Sequence, residues 1–488
     1  MAIEQNGINI ISEAERKGHA RGLLWPWCAA NISVLGISFG SFLLGFGISF
    51  RQAVAAGVVG TVLSFLLVGL VSLAGKHGSA PTMVLSRAAF GVRGNAVPAI
   101  ISWLLLVGWE TVLVSLATLA TSTVFDRLGW GTGDGVKIAA FIVVAAVVVL
   151  AGVIGFDLIM RLQAILTVAM AILTLGYALL TMSHIQWQAL TSHHDGSFQS
   201  VVGAFIFAIT GFGLGWVNSA SDYSRYLPRS VSGSGVVAWT TFGASVAPVL
   251  LLAYGLLLGA TDPKLSHAIA ADPIGALTTL LPTWYLLPFA VVAIGGIIGG
   301  AVLDIYSSGL VLLTLGLRIR RWQAALLDGV LMILGTIIIV WLARDFIGPF
   351  QGFLITLGVP IAAWCGIFLG DMALRRSDYA DEDLFDARGR YGAVNPVAVG
   401  AITIGTALGW GLVTNTSADW LSWQGYLLGP FGLGGREGAW ASANLGVLAA
   451  LSFGFACQWL FSRKAVRCQE GRSQESGVRS QNKSNKVR

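Results

Sequence analysis

Charge is what this chain has least of. Only 11% of its 488 residues are Asp, Glu, Lys or Arg, where a soluble globular domain carries about 25%. Against that, 55% are hydrophobic and the mean hydropathy is +0.75. So few charges cannot wrap so apolar a surface in water. A soluble fold is excluded, and lipid must be the solvent. Cysteine is scarce too. Cys28, Cys365, Cys457 and Cys468 are scattered, with no CxxC pair. That leaves no disulfide framework and no zinc spacing, and reads as small apolar filling. The six histidines (His19, His77, His184, His193, His194 and His267) form no nucleophile–base set and no ligand cluster. An integral-membrane enzyme is therefore only a distant alternative, and neither a cofactor nor a metal is expected. The polar N-terminus lacks the apolar core of a cleavable signal.

What is present is hydrophobic length. A bilayer core of roughly 30 Å takes about 20 apolar residues per helix. Runs of that length lie near 24–50, 53–75, 98–123, 136–154, 158–183, 199–222, 236–260, 284–312, 322–343, 347–370, 397–416 and 438–462, about twelve in all. Lysine and arginine test the count. With the N-terminus inside, 24 of them fall on inside segments and 6 on outside segments. A miscounted span would invert every later loop and spoil that split. An even number of spans with both termini cytoplasmic, in the plasma (inner) membrane, follows from the positive-inside rule. The same rule accounts for the net charge of +6 without a nucleic-acid partner.

Glycine, with 62 residues, is abundant. In membrane helices it permits close packing or a break. Two spans read as interrupted. The first carries Asn31, Ser33, Gly36, Ser38 and Gly40; the sixth carries Gly211, Gly213, Gly215 and Asn218. If the first ten spans are two halves of five, both open a half. Matched interruptions point to an inverted-repeat transporter whose site lies at the breaks. A channel suits the pattern less well.

Five stretches occur in a telling order: GINIISEAER before span one, GKHGSAPTMVLSRAAFGVRGNAVPA at 75–99, GWETV at 108–112, WVNSASDYSRYLP at 216–228 and DIYSSGL at 304–310. Together they resemble the nucleobase:cation symporter-1 family, most of all its purine–cytosine permease branch. The resemblance implies an all-α polytopic membrane protein with a LeuT-like 5+5 inverted repeat and two extra helices. With the apolar runs, this divides the chain into 1–22 (cytoplasmic), 23–183 and 184–370 (the repeats), 371–396 (cytoplasmic loop), 397–462 (extra helices) and 463–488, a tail whose Ser-, Gln-, Asn-, Lys- and Arg-rich composition reads as disordered. The resemblance also implies cation-coupled import of a flat heterocycle, a small-molecule partner, within the lipid bilayer.

Such a solute offers two π faces and an edge of donors and acceptors. Trp109 occupies the position of the family's stacking tryptophan. Phe212 or Trp216, at the sixth-span break, is the candidate for the other face. Asn31, Ser33 and Asn218 are candidate edge binders. Asp304 stands where the branch usually has Asn, and is a candidate for edge binding or cation coupling. Glu110 is an intramembrane carboxylate and hence a functional candidate, as a proton carrier or as a structural acid. It lies about 100° around the helix from Trp109, so the two need not face one cavity. Asp222 and Arg225 are three apart and read as a helix-end pair. Sodium-coupled relatives place two Ser/Thr hydroxyls in span eight. The matching residues here are Gly299 and Gly300, which favours H+ over Na+. Leu113 replaces the branch's span-three Asn, so a vitamin, hydantoin or allantoin-like solute, possibly with sodium, is the alternative.

Overall fold

The computed structural model describes residues 8–154, 156–191, 194–316, 321–415, 419–467 and 469, without side chains over 153–164 and at 189, 191 and 321. Among them the chain is helix and loop with no strand. Among the described residues nine helices are long and apolar enough to cross a bilayer, and a bent pair near the N-terminus makes a tenth. Two shorter apolar helices, Pro396–Trp410 and Gly446–Phe461, complete the twelve-span reading. Their 15 and 16 residues reach about 22–24 Å, so the membrane must thin locally or the flanking loops must enter it.

Helix ends follow local chemistry. Span two (Phe50–Gly78) starts on a capping box, in which Ser49 and Gln52 satisfy each other's backbone N–H groups. Span seven (Gly233–Thr261) is capped by the Ser232 hydroxyl, and span eleven by the Asn395 side chain with Pro396 at its first turn. Span twelve begins at Gly446 rather than near 438. The reason is the run before it, where Gly432, Gly434 and Gly435 all take positive φ and stop helix growth. The end expected at 416 for span eleven comes at Trp410 instead. Arg463–Arg467 add a further helical turn with Val466 buried. Residues 468 and 470–488 of the expected tail, and residues 317–320 with Arg318 and Arg320, lie outside the described residues.

Burial sorts the spans into centre and rim. In span ten (Ile347–Leu374) 78% of the apolar window is buried within the protein, against 28% in spans four and nine and 22% in span five. The rim helices expose Ile142, Val143, Ile172, Leu175 and Leu334 by more than half, which is the surface lipid would cover. At the centre, span one crosses span seven at Gly40 and Gly255. A Cβ on Gly40 would collide with the backbone at Leu252–Leu256, and one on Gly255 with the Ile37 carbonyl. Glycine at both positions lets the backbones touch.

One end of the bundle is covered by short helices at Pro263–Ala271 and Gly275–Thr278, which no long apolar run announces. Ser38 donates to the Pro273 carbonyl at 2.7 Å, Ser41 and Ser266 pair at 2.7 Å, and Thr123 donates to Asp272 at 2.5 Å. At the other end lies the N-terminal segment. There the Arg16 side chain is buried against the carbonyls of Leu227 and Lys76.

Candidate functional site

Both expected interruptions are present. Span one divides into Leu24–Asn31 and Leu35–Leu44, which meet at 69°. Ile32 is extended between them. The Ser33 hydroxyl accepts from Leu35 N at 3.4 Å, and the Asn31 amide donates to the Trp27 carbonyl at 2.9 Å. Span six stops at Phe212, whose φ of −114° and ψ of −106° are not helical. It continues in two short 3-10 turns, Gly213–Gly215 and Val217–Ser219. Here glycine is required sterically. A Cβ on Gly213 would strike the Ser64 backbone, and Gly213 N donates to the Ser64 hydroxyl at 2.9 Å.

Between the breaks lies a cavity of about 110 Å³. Its walls come from both broken spans and from spans three (Ala96–Arg127), five (Phe156–Thr181) and eight (Thr283–Thr314). Asn31, Ser33, Trp109, Phe212, Trp216 and Asp304 all line it. Trp109 is wedged edge-on between Phe350 and Phe353, at centroid distances of 5.7 and 5.9 Å. A Cβ on Gly215 would sit 2.9 Å from its Nε1, so the absence of a side chain there makes room for the indole. Phe212 lies against Phe39 at 4.4 Å. Trp216 stands perpendicular to the buried Trp27 at 6.1 Å. The structure therefore brings both aromatic candidates of span six to the cavity. Leu113 and Gly300 line it as well.

Among the described residues, Asp304 is the one acid in the lining, and no Lys, Arg or His lines it. It is 6% exposed, and its carboxylate has no hydrogen-bond partner among the described residues. Burying a carboxylate without a partner is costly, which sets Asp304 apart from the other lining residues.

Two of the candidates are elsewhere. Asn218 is 2% exposed and does not reach the cavity; it donates to the Ser102 hydroxyl at 2.8 Å. Glu110 is fully buried and points away from the cavity that Trp109 lines, as their separation around the helix allows. It accepts from Ser308 at 2.9 Å. The same Ser308 hydroxyl lies 2.7 Å from Asp328 of span nine, and Trp103 Nε1 donates to Asp328 at 2.6 Å. Asp222, read as paired with Arg225, takes its hydrogen bonds from Thr82 N and Thr82 Oγ1, both at 3.0 Å.

Sequence reasoning missed Phe39, Thr167 and Asp328. Asp328 carried a usable signal, being a lone acid inside an apolar run. Phe39 and Thr167 carried none, since nothing local separates a lining side chain from a packing one.

The chain is similar to known proteins over nearly all its length. The family model described as "Permease for cytosine/purines, uracil, thiamine, allantoin" matches residues 10–429. A putative purine-cytosine permease of Bacillus subtilis is 24% identical over 451 residues, covering 90% of this chain and 93% of that protein. A vitamin B6 transporter of Saccharomyces cerevisiae is 32% identical over 121 residues, 23% of this chain and 20% of that protein. In fold the chain is similar to Mhp1, a nucleobase-cation-symport-1 family transporter, in a closed conformation with bromovinylhydantoin bound. The TM-score is 0.67 at 17% identity, with 95% and 97% of the two chains covered. The inward-facing conformation of Mhp1 gives a TM-score of 0.69 at 17% identity, with 96% and 95% covered. With its family model matched across most of the sequence and a LeuT-like fold around two broken spans, this chain belongs to the nucleobase:cation symporter-1 family and is a membrane transporter, not an enzyme.

Proposed function

We propose that this transporter imports a flat, nucleobase-like heterocycle of the purine or cytosine class by alternating access. The supporting observation is the cavity between the breaks, where Trp109, Phe212 and Trp216 offer aromatic faces and the unpartnered Asp304 offers an acceptor. Rings stack on the faces, and adjacent N–H groups of the solute meet the carboxylate. With no cation among the described lining residues to attract a solute acid, the reading favours neutral or basic heterocycles over organic acids. Proton coupling is part of the proposal. Gly300 brings no hydroxyl to the cavity, while acids stand in spans three, eight and nine. The proposal places both termini in the cytoplasm.

A second reading, a vitamin, hydantoin or allantoin-like solute, is favoured by one observation. Leu113 presents an apolar side chain to the cavity where the purine–cytosine branch carries a polar one.

A thermal-shift and uptake screen over nucleobases, hydantoins and B vitamins decides between them. Trp109→Ala should weaken the best ligand by about 2 kcal/mol, roughly thirtyfold in Kd. Unchanged binding would remove the stacking assignment. Uptake that persists when sodium is replaced by choline supports proton coupling, and a strict sodium requirement overturns it.

A further inference from the structure

We infer that Glu110 and Asp328 share a single proton through the Ser308 hydroxyl, and that this buried pair, rather than the substrate cavity itself, holds the transported proton. The inference rests on the proton-coupled reading above and gives the proton a location.

Counting hydrogens carries the argument. Ser308 has one hydroxyl hydrogen, yet its oxygen lies 2.9 Å from Glu110 Oε1, 2.7 Å from Asp328 Oδ2 and 3.2 Å from the Ile305 carbonyl. The second donor in reach is Trp103 Nε1, which serves Asp328 Oδ1 at 2.6 Å. With both acids ionised, four carboxylate oxygens would face two hydrogens. One contact at Ser308 would then set two acceptors against each other without a proton between them. Glu110 is fully buried, and its Oε2 has no partner at all. One added proton resolves the geometry. Protonated at Oε1, Glu110 donates to Ser308, Ser308 donates to Asp328 Oδ2, and Trp103 completes Asp328. A single charge remains, held by two donors, and the orphan Oε2 becomes a neutral carbonyl oxygen, which costs far less to leave unpaired than a charge.

Among the described residues, no Lys, Arg or His bonds to Glu110, Asp304 or Asp328. The groups that face Glu110 from the packed elements are Asp304 and Ser308 on span eight and Asp328 on span nine, with Trp103 of its own span three bonded to Asp328. On span ten the acid Asp371 is bound to Arg375 at 2.6 Å, and on span four Asp134 and Lys137 pair with each other at 3.9 Å at the start of the helix.

The pair connects to the solute through one turn of helix. Asp304 lines the cavity, and Ser308, four residues on, lies on the same face of span eight. A solute that brings N–H donors to Asp304 changes the field at Ser308 and hence the affinity of the pair for its proton. By linkage, the proton changes the affinity for the solute equally.

Two measurements on the full-length protein in proteoliposomes test this. In an infrared pH titration, the wild type should show a protonated-carboxyl band that is missing in Glu110→Gln and displaced in Ser308→Ala. A band unchanged in both overturns the shared proton, whatever ion drives transport. In the second, radiolabelled cytosine uptake is followed with and without an inward proton gradient, in the absence of sodium. The wild type should be stimulated, and Glu110→Gln should lose that stimulation. A stimulated wild type with an equally stimulated Glu110→Gln overturns the location and leaves proton coupling standing. A wild type that takes up cytosine but is not driven by the gradient fails the proton reading itself, and one that takes up no cytosine fails the cytosine-class reading, the pair then being judged by the infrared band. Ser308→Ala removes only one hydroxyl, so its pH for half-maximal uptake should shift even if Glu110→Gln does not fold.

Discussion

At the scale of single residues, the informative side chains are those whose surroundings fail to compensate them. Asp304 is buried without a hydrogen-bond partner among the described residues and opens on a cavity walled by indoles and phenyl rings. Asp304→Asn keeps the shape but trades an all-acceptor carboxylate for an amide that also donates. We expect it to weaken ligands with two adjacent N–H groups by about 1–3 kcal/mol and to spare ligands held by stacking alone. Isothermal titration with paired heterocycles reads this directly. Gly213 makes a steric case. Its missing Cβ leaves room for the Ser64 backbone, so Gly213→Ala should cost about 1–3 kcal/mol by overpacking, seen as a lower Tm in detergent. Trp109 and Asp304 were legible in the chain's own sequence because each sits in a recognisable motif. Asp328 was not singled out. Its meaning depends on Ser308 and Trp103, which belong to other helices, and chain order does not say which helix faces meet.

At the scale of elements, the interruptions were readable because glycine and small polar residues weaken a helix locally. The 69° bend of span one was not readable, since an angle is set by what each half packs against. The N-terminal segment is a second case. Arg16 is buried against the Leu227 carbonyl at 2.6 Å and the Lys76 carbonyl at 2.5 Å, which ties a stretch that reads as a polar tail to span two and to the loop after span six. Arg16→Ala should cost about 2–4 kcal/mol, because two buried carbonyls lose their donor, and should open residues 8–19 to limited proteolysis. Beside it Arg229 pairs with Glu13 at 3.0 Å, Asp378 at 3.0 Å and Asp381 at 3.1 Å.

This latch has a pH dependence with a definite sign. The hydrogen bond from Arg229 holds the Glu13 carboxyl below the usual glutamate range. Partial burial pushes Asp378 up, but hydrogen bonds from His77 and Arg229 outweigh it, so that carboxyl is lowered as well. Acids lowered in the folded state add stability above their unfolded values and lose it as pH falls through the folded ones. Burial raises the third partner, Asp381, while Arg229 pulls it back down, so that arm is lost at higher pH than the other two. The Tm difference between wild type and Arg229→Ala should therefore shrink as pH falls and be smallest below about pH 4. A difference that grows on acidification would overturn the assignment.

At the scale of the whole molecule, topology is the open prediction. If both termini are cytoplasmic, Lys264→Cys on the covering helices should react with an impermeant maleimide on intact cells, and Arg388→Cys should react only after permeabilisation. Both positions are exposed, so access rather than burial decides the result. Sequence alone determined that the chain lives in lipid, that it crosses about twelve times and that two crossings are interrupted. These properties follow from residue type and order, because transfer into a bilayer is a local, nearly additive free energy. It did not determine that Trp109 lines the cavity while its neighbour Glu110 bonds to Ser308, that Asn218 bonds to Ser102 away from the cavity, or that Asp328 meets the same Ser308 hydroxyl. Only the packed structure decided these, because they depend on how each helix is rotated and on which partner helix it meets. Those rotations come from packing over the entire bundle and are written in no single stretch of chain.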